Sequence, residues 1–199
     1  FNSAFKDYGL SWDWNSTTYV NLLKINGGKN RISYFSKINN QLINDDLVIK
    51  LHQRKQFHYF ENIKKNKVNF KPGIKRLINE LNDKKVRQFI VTSSSKIQVK
   101  LLVNYLFQDA SPFEFIISSD DVEIHKPNPL PYLKAIKLSG IKNNRSLVFE
   151  DSNAGIKASL AASLPTIYTP SNVPTVIDKK IDLSCIIDHL GDDTNMAKI

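Results

Sequence analysis

The sequence predicts an α/β protein with a parallel-sheet core over residues 70–199 and a small helical module over residues 1–69. Three observations predict it. Apolar residues in the first 70 positions recur at three- and four-residue spacing. After position 70 they come in short runs separated by helical stretches, and the change falls at Phe70-Lys71-Pro72-Gly73. Strands that alternate with helices need crossovers, and right-handed crossovers give a parallel sheet buried on both faces.

The elements follow in order. Residue 1 already reads as the start of a helix. Tyr19, Leu22 and Leu23, then Ile32, Phe35, Ile38 and Leu42, keep the spacing of amphipathic helices, with Asn26-Gly27-Gly28 as the turn between them. A longer helix is expected from about Asp45 to Ile63, capped by Asn44 or Asp45. Strands are expected at Gln88–Thr92, Phe113–Ile117, Ser146–Phe149 and Thr166–Tyr168, with helices near 73–84, 96–107, 129–139 and 153–163.

Composition narrows the function. Of the 199 residues 41% are apolar and 24% charged, the balance of a folded globular domain. The single cysteine, Cys185, has no internal partner, which fits a reducing compartment, the cytoplasm or a plastid stroma. No apolar run approaches the roughly 18 residues of a membrane helix, and no signal peptide is legible at Phe1. The net charge is +9, and residues 1–70 supply +6 of it, 11 Lys/Arg against 5 Asp/Glu. Such an excess attracts anions, but no finger, RNP or basic-zipper pattern marks a nucleic-acid module. Lys64-Lys65-Asn66-Lys67 reads as a solvated turn.

In an open parallel sheet, ligands bind beyond the carboxyl ends of the strands. Three strand ends carry chemistry. Thr92-Ser93-Ser94-Ser95-Lys96 offers hydroxyls and backbone N–H groups just before a helix, suited to a phosphate oxygen or, more plainly, to a helix cap. In His125-Lys126-Pro127-Asn128-Pro129, two prolines fix a lysine on a rigid loop, where an ammonium can neutralise a transferring phosphoryl group. Glu150-Asp151 ends a buried strand, where paired carboxylates are costly unless a cation or donors satisfy them. Oxygen ligands in that position suit Mg2+, while Ser152 or Asn153 can cap the next helix. His125 reads as a loop residue, because no second histidine lies at metal-ligand spacing.

The order of these three segments, each after its own strand, resembles motifs II, III and IV of the haloacid dehalogenase superfamily. Phe149-Glu150-Asp151-Ser152-Asn153-Ala154-Gly155-Ile156-Lys157-Ala158 is similar to its β-phosphoglucomutase-like branch. Within that branch, Trp12-Asp13-Trp14, Gly27-Gly28-Lys29-Asn30-Arg31-Ile32, Leu51-His52-Gln53-Arg54-Lys55 and the tail, Pro165-Thr166-Ile167-Tyr168-Thr169 with Asp188-His189-Leu190-Gly191-Asp192, resemble the CbbY-type group. Lys71 stands where that group usually has arginine before Pro-Gly.

The resemblance implies a Rossmann-like, haloacid-dehalogenase-like core with a helical cap. It also implies Mg2+-dependent hydrolysis of a sugar phosphate, such as xylulose-1,5-bisphosphate, through an aspartyl-phosphate. Ser93 and Lys126 would hold the transferring phosphoryl group, with Ser94 and Asn128 beside them. Glu150 and Asp151 would hold the metal, and Lys29, Arg31 and Lys55 would bind substrate from the cap. The expected partner is a small-molecule sugar phosphate, with neither nucleic acid nor membrane, and the expected state is a monomer. The family's nucleophile lies in an Asp-x-Asp motif, and no such pair occurs in this sequence. It and its strand, the expected centre of the sheet, are therefore expected ahead of Phe1, and the chain as written is expected to be inactive. A sugar phosphomutase would use the same residues, and a non-catalytic anion-binding module would use the basic cap alone.

Overall fold

The structure, a computed structural model, describes residues 1–25, 27–66, 68–108, 110–170, 183–187 and 190–191. The chain divides into two compact units, Phe1–Val68 and Asn69–Ile199.

The first unit contains α1 (Asn2–Asp7), α2 (Ser16–Leu22), α3 (Gly28–Ile38) and α4 (Asp45–Asn66). Its core is aromatic. Phe5 meets Trp12 and Trp14 edge-on at ring separations of 5.3 and 5.0 Å, and Trp14 meets Phe35 at 5.3 Å, geometries that the ring quadrupoles favour. Leu22, Ile32, Val48 and Leu51 complete this core. Asn15 accepts a hydrogen bond from Thr18 N and caps α2, while Asn44 accepts from Leu47 N and caps α4. The carboxylate of Asp7 at the end of α1 receives Arg54 Nε at 2.5 Å and His58 Nε2 at 2.6 Å, tying α1 to α4. One expectation needs correcting. The periodicity of α3 continues in sequence through Ile38 and Leu42, but Ile38 and Leu42 are exposed and the helix stops at Ile38. Asn39 caps it and Asn40 adopts a left-handed backbone (φ 54°), a conformation asparagine tolerates.

The second unit alternates as expected: α5 (Ile74–Asp83), β1 (Gln88–Val91), α6 (Lys96–Phe107), β2 (Phe113–Ile117), α7 (Leu130–Ser139), β3 (Val148–Glu150), α8 (Asn153–Ala161) and β4 (Thr166–Tyr168). A two-residue strand, β5 (Cys185–Ile186), is too short to announce itself in the sequence. All pairings are parallel. β1 pairs with β2, and β4 lies between β3 and β5. Among the described residues the two ladders are not joined. A mainly apolar groove of about 570 Å³ is lined by Phe89 and Val91 of β1 and by Val148 and Phe149 of β3. Tyr132, Ala158, Ala162 and Leu164 form the buried cluster against which Val91 and Val148 pack.

Gly73, which precedes α5, has φ 78°. A Cβ there would lie 2.2 Å from the carbonyl oxygens of Leu190 and Gly191. Gly73→Ala therefore combines left-handed strain with a backbone clash, and is expected to cost about 2 kcal/mol or more. Urea denaturation should show a lower midpoint with an unchanged slope.

Candidate active site

The carboxyl ends of β1 and β3 meet at one side chain. Lys126 lies on the loop between β2 and α7, and its ammonium donates to Val91 O at 2.9 Å, to Tyr132 Oη at 3.1 Å and to Oε1 of Glu150. Tyr132 Oη donates to the same Glu150 oxygen. Lys126 and Glu150 are each only 7% exposed, so neither charge is solvated and each depends on the other. Burial, then the charges of Glu150 and Asp151, push the Tyr132 phenol far above its usual range, so it remains a donor.

Local sequence explains how a loop holds a lysine so firmly. Ser118, at the end of β2, caps a 3-10 turn over Ser119–Asp121 with a reciprocal capping box. Asp121 accepts from Ser118 Oγ at 2.5 Å and from Lys96 Nζ at 2.8 Å, and Lys134 of α7 donates to its carbonyl oxygen. Lys96 and Ser118 hold the Asp121 carboxyl well below the ordinary carboxylate range. The loop is thus pinned to α6 and to α7 before it reaches Lys126. The Lys126–Pro127 peptide is cis.

The other expected residues are placed as follows. Ser93 and Ser94 are exposed on the loop between β1 and α6, where Ser94 N donates to Thr92 Oγ1 at 3.1 Å. Ser119 N donates to Ser94 O at 2.9 Å, joining this loop to the end of β2. Asn128 Oδ1 accepts from Leu130 N at 2.9 Å, so its side-chain oxygen serves the start of α7. Ser152 caps α8 through Gly155 N. Asp151 is exposed just past the end of β3, whereas Glu150 turns inward. Among the described residues no three acidic, histidine or cysteine side chains gather as a metal cage. Mg2+ does not require one, since one or two carboxylates with water and substrate phosphate suffice, and Asp151 fits that donor set.

In the first unit, the cationic residues converge. Burial, followed by Lys55, Lys29 and Arg31, lowers the His52 imidazole to about 4. Burial and then Arg31 lower Lys55. Arg31 Nε donates to Ile25 O at 2.8 Å, and Lys55 Nζ lies 5.4 and 5.2 Å from the ring centres of Phe1 and Tyr59. Lys29 is exposed.

A family model described as haloacid dehalogenase-like hydrolase matches residues 1–169. The chain belongs to the haloacid dehalogenase-like hydrolase family. Within this family it is similar to CbbY of Rhodobacter capsulatus, at 33% identity over 173 residues, covering 86% of this chain and 76% of that protein. It is also 30% identical to the plasmid-borne CbbY of Cupriavidus necator over 199 residues, covering 96% and 78%. The crystal structure of a mutant CbbY from Rhodobacter sphaeroides in complex with xylulose-1,5-bisphosphate superposes with a TM-score of 0.83 at 26% identity, covering 94% and 84%. The tail segment around Asp188, His189 and Asp192 lies outside the described residues.

Sequence reasoning missed Tyr132 and Asp121. For Tyr132 a signal existed: a hydroxyl-bearing aromatic on the buried face of a helix usually finds a polar partner. Gly155 has a sharper role than helix packing. A Cβ there would lie 1.8–2.3 Å from the Glu150 carboxylate, which Lys126 and Tyr132 already hold. Gly155→Ala is expected to displace that carboxylate and cost about 1–3 kcal/mol, measured by chemical denaturation.

Proposed function

We propose that this hydrolase is a Mg2+-dependent sugar-phosphate phosphatase acting on a sugar bisphosphate such as xylulose-1,5-bisphosphate. The observation that carries the reading is the buried Lys126, fixed between Val91 O and Glu150 where β1 and β3 end, with the Asp151 carboxylate exposed beside it. The R. sphaeroides CbbY complex supports the substrate class. Lys126 orients and neutralises the transferring phosphoryl group, and Ser93 supplies a hydroxyl to it, with Ser94 and Asn128 completing the rim. Asp151 would hold Mg2+ with help from Glu150, and bound Mg2+ supplies charge neutralisation at the phosphate oxygens. The sequence has no Asp-x-Asp pair. The reading therefore assigns the attacking carboxylate, and the acid–base carboxylate two positions on, to a segment of the natural polypeptide ahead of Phe1. It gives the apolar groove between β1 and β3 to that segment's strand, and leaves the chain as written inactive. The protein works as a monomer in the cytoplasm or a plastid stroma, a reducing setting that suits the single Cys185.

The metal assignment is tested in the natural full-length protein with Asp151→Asn, which keeps shape and removes charge. Mg2+-dependent phosphate release is expected to fall at least about a hundredfold with the fold intact. Unchanged metal dependence and rate would make Asp151 a surface carboxylate.

The substrate class is tested separately. A bisphosphate leaves one dianion away from the reaction, and Lys29, Arg31 and Lys55 are suited to hold it, converting remote binding into positioning. Lys29→Ala and Lys55→Ala are expected to slow a sugar bisphosphate by roughly ten- to a hundredfold, the worth of a charge-assisted contact. A small generic phosphate ester should change little. Equal losses on both substrates would remove the bisphosphate assignment. Assaying phosphate release beside isomerised product separates hydrolysis from mutase activity.

A further inference from the structure

Tyr132, in the first turn of α7, reaches both charges of the buried pair with one hydroxyl. Its Oη accepts from Lys126 Nζ at 3.1 Å, while its own O–H donates to Glu150 Oε1. An ammonium has three N–H bonds. Three acceptors of Lys126 are Val91 O at 2.9 Å, Tyr132 Oη and Glu150 Oε1, so each N–H has a place on the protein. A phosphoryl oxygen can receive a hydrogen bond from Lys126 only when one of these contacts is redirected.

The three contacts are not equal. Turning away from Glu150 would separate two buried charges. Turning away from Val91 O would take a donor from the backbone carbonyl at the end of β1. Tyr132 Oη is neutral, and its contact to the lysine is the longest of the three. It also keeps its own bond to Glu150 when the lysine turns, so Glu150 Oε1 retains both donors. The other carboxylate oxygen, Oε2, accepts from Ser152 Oγ at 3.3 Å and is held independently of the lysine.

We propose that Tyr132 is the positioning residue of Lys126, the acceptor that holds its third N–H and yields it to a phosphoryl oxygen. With a phosphate in place, the ammonium still donates to Val91 O and Glu150, and its third N–H is aimed at the phosphate. Tyr132 then serves Glu150 alone, as a donor. No covalent bond changes and no proton changes owner. The inference rests on the reading of Lys126 as the holder of the phosphoryl group, and adds to it the residue that aims the lysine. Tyr132 acts through Lys126 and makes no substrate contact of its own.

Two measurements on the natural full-length protein test this. The first needs no substitution. With isotope-labelled lysine Nζ and tyrosine Cζ, the NMR signals of Lys126 and Tyr132 are assigned through each other, since Nζ lies 4.7 Å from the Tyr132 ring centre. Saturating inorganic phosphate with Mg2+ is expected to shift both signals together, whereas chloride at equal ionic strength shifts neither. A hydroxyl that only supports the fold keeps its bond to Lys126, so two fixed signals in the phosphate complex would overturn the proposal. Calorimetry establishes separately that phosphate binds. If it does not, the phosphoryl-holding role of Lys126 falls, and this inference with it.

The second measurement uses Tyr132→Phe, which keeps the ring and removes the hydroxyl. The lysine contact strengthens as charge gathers on the transferring group, so the loss belongs to turnover. Phosphate release from a sugar phosphate is expected to fall about tenfold in kcat, with KM and half-activating Mg2+ changed less than about twofold. An unchanged kcat, or a loss shared with Mg2+ activation, makes the hydroxyl purely structural and overturns the proposal. A wild type that releases no phosphate from sugar phosphates removes the phosphatase reading itself, and the role of Tyr132 with it.

Discussion

An ammonium and a carboxylate that share one buried position need each other, and much of the second unit is arranged around that need. Removing either charge from water costs several kcal/mol, and only close, well-oriented partners recover it. Lys126 and Glu150 meet that condition through Tyr132, whose hydroxyl accepts from one and donates to the other. The pair also sets demands on distant parts of the chain. Gly155 must have no side chain, Ser118 and Asp121 must hold the loop, and α7 must present Tyr132 inward. A lysine fixed in this way can meet a phosphate without first paying to become ordered, which is the preorganisation that charge-stabilising catalysis depends on.

The first unit is organised by a different principle. Aromatic packing fixes its interior; Arg54 is paired with Asp7, whereas Arg31 and Lys55 repel one another and both disfavour a charge on His52. Repulsion among like charges lowers stability, and an anion placed among them would relieve it.

The sequence made the strand ends legible, because each chemical segment follows a short apolar run and the prolines and glycines mark loops. Lys126 and Glu150-Asp151 stood out for this reason. The direction of Glu150 did not, since its partners lie 18 and 24 residues away and are brought close only by the crossovers. Tyr132 reaches Glu150 across 18 residues, and Asp121 is reached by Lys96 across 25. At Ile38 and Leu42, spacing alone predicted burial, but backbone chemistry at Asn39 and Asn40 ended the helix first. The approach of His52 to Gly28 joins two helices and leaves no periodic trace, though the paired glycines marked where the backbone is open.

The aromatic interior of the first unit has an experimental consequence. The chain contains two tryptophans, Trp12 and Trp14, and both are buried within 5.3 Å of Phe5. The second unit contains none. Tryptophan emission therefore reports on the helical unit alone, whereas far-ultraviolet dichroism reports on both. Recording the two during the same unfolding reveals whether the units lose structure together, using no label other than the indoles the sequence already carries.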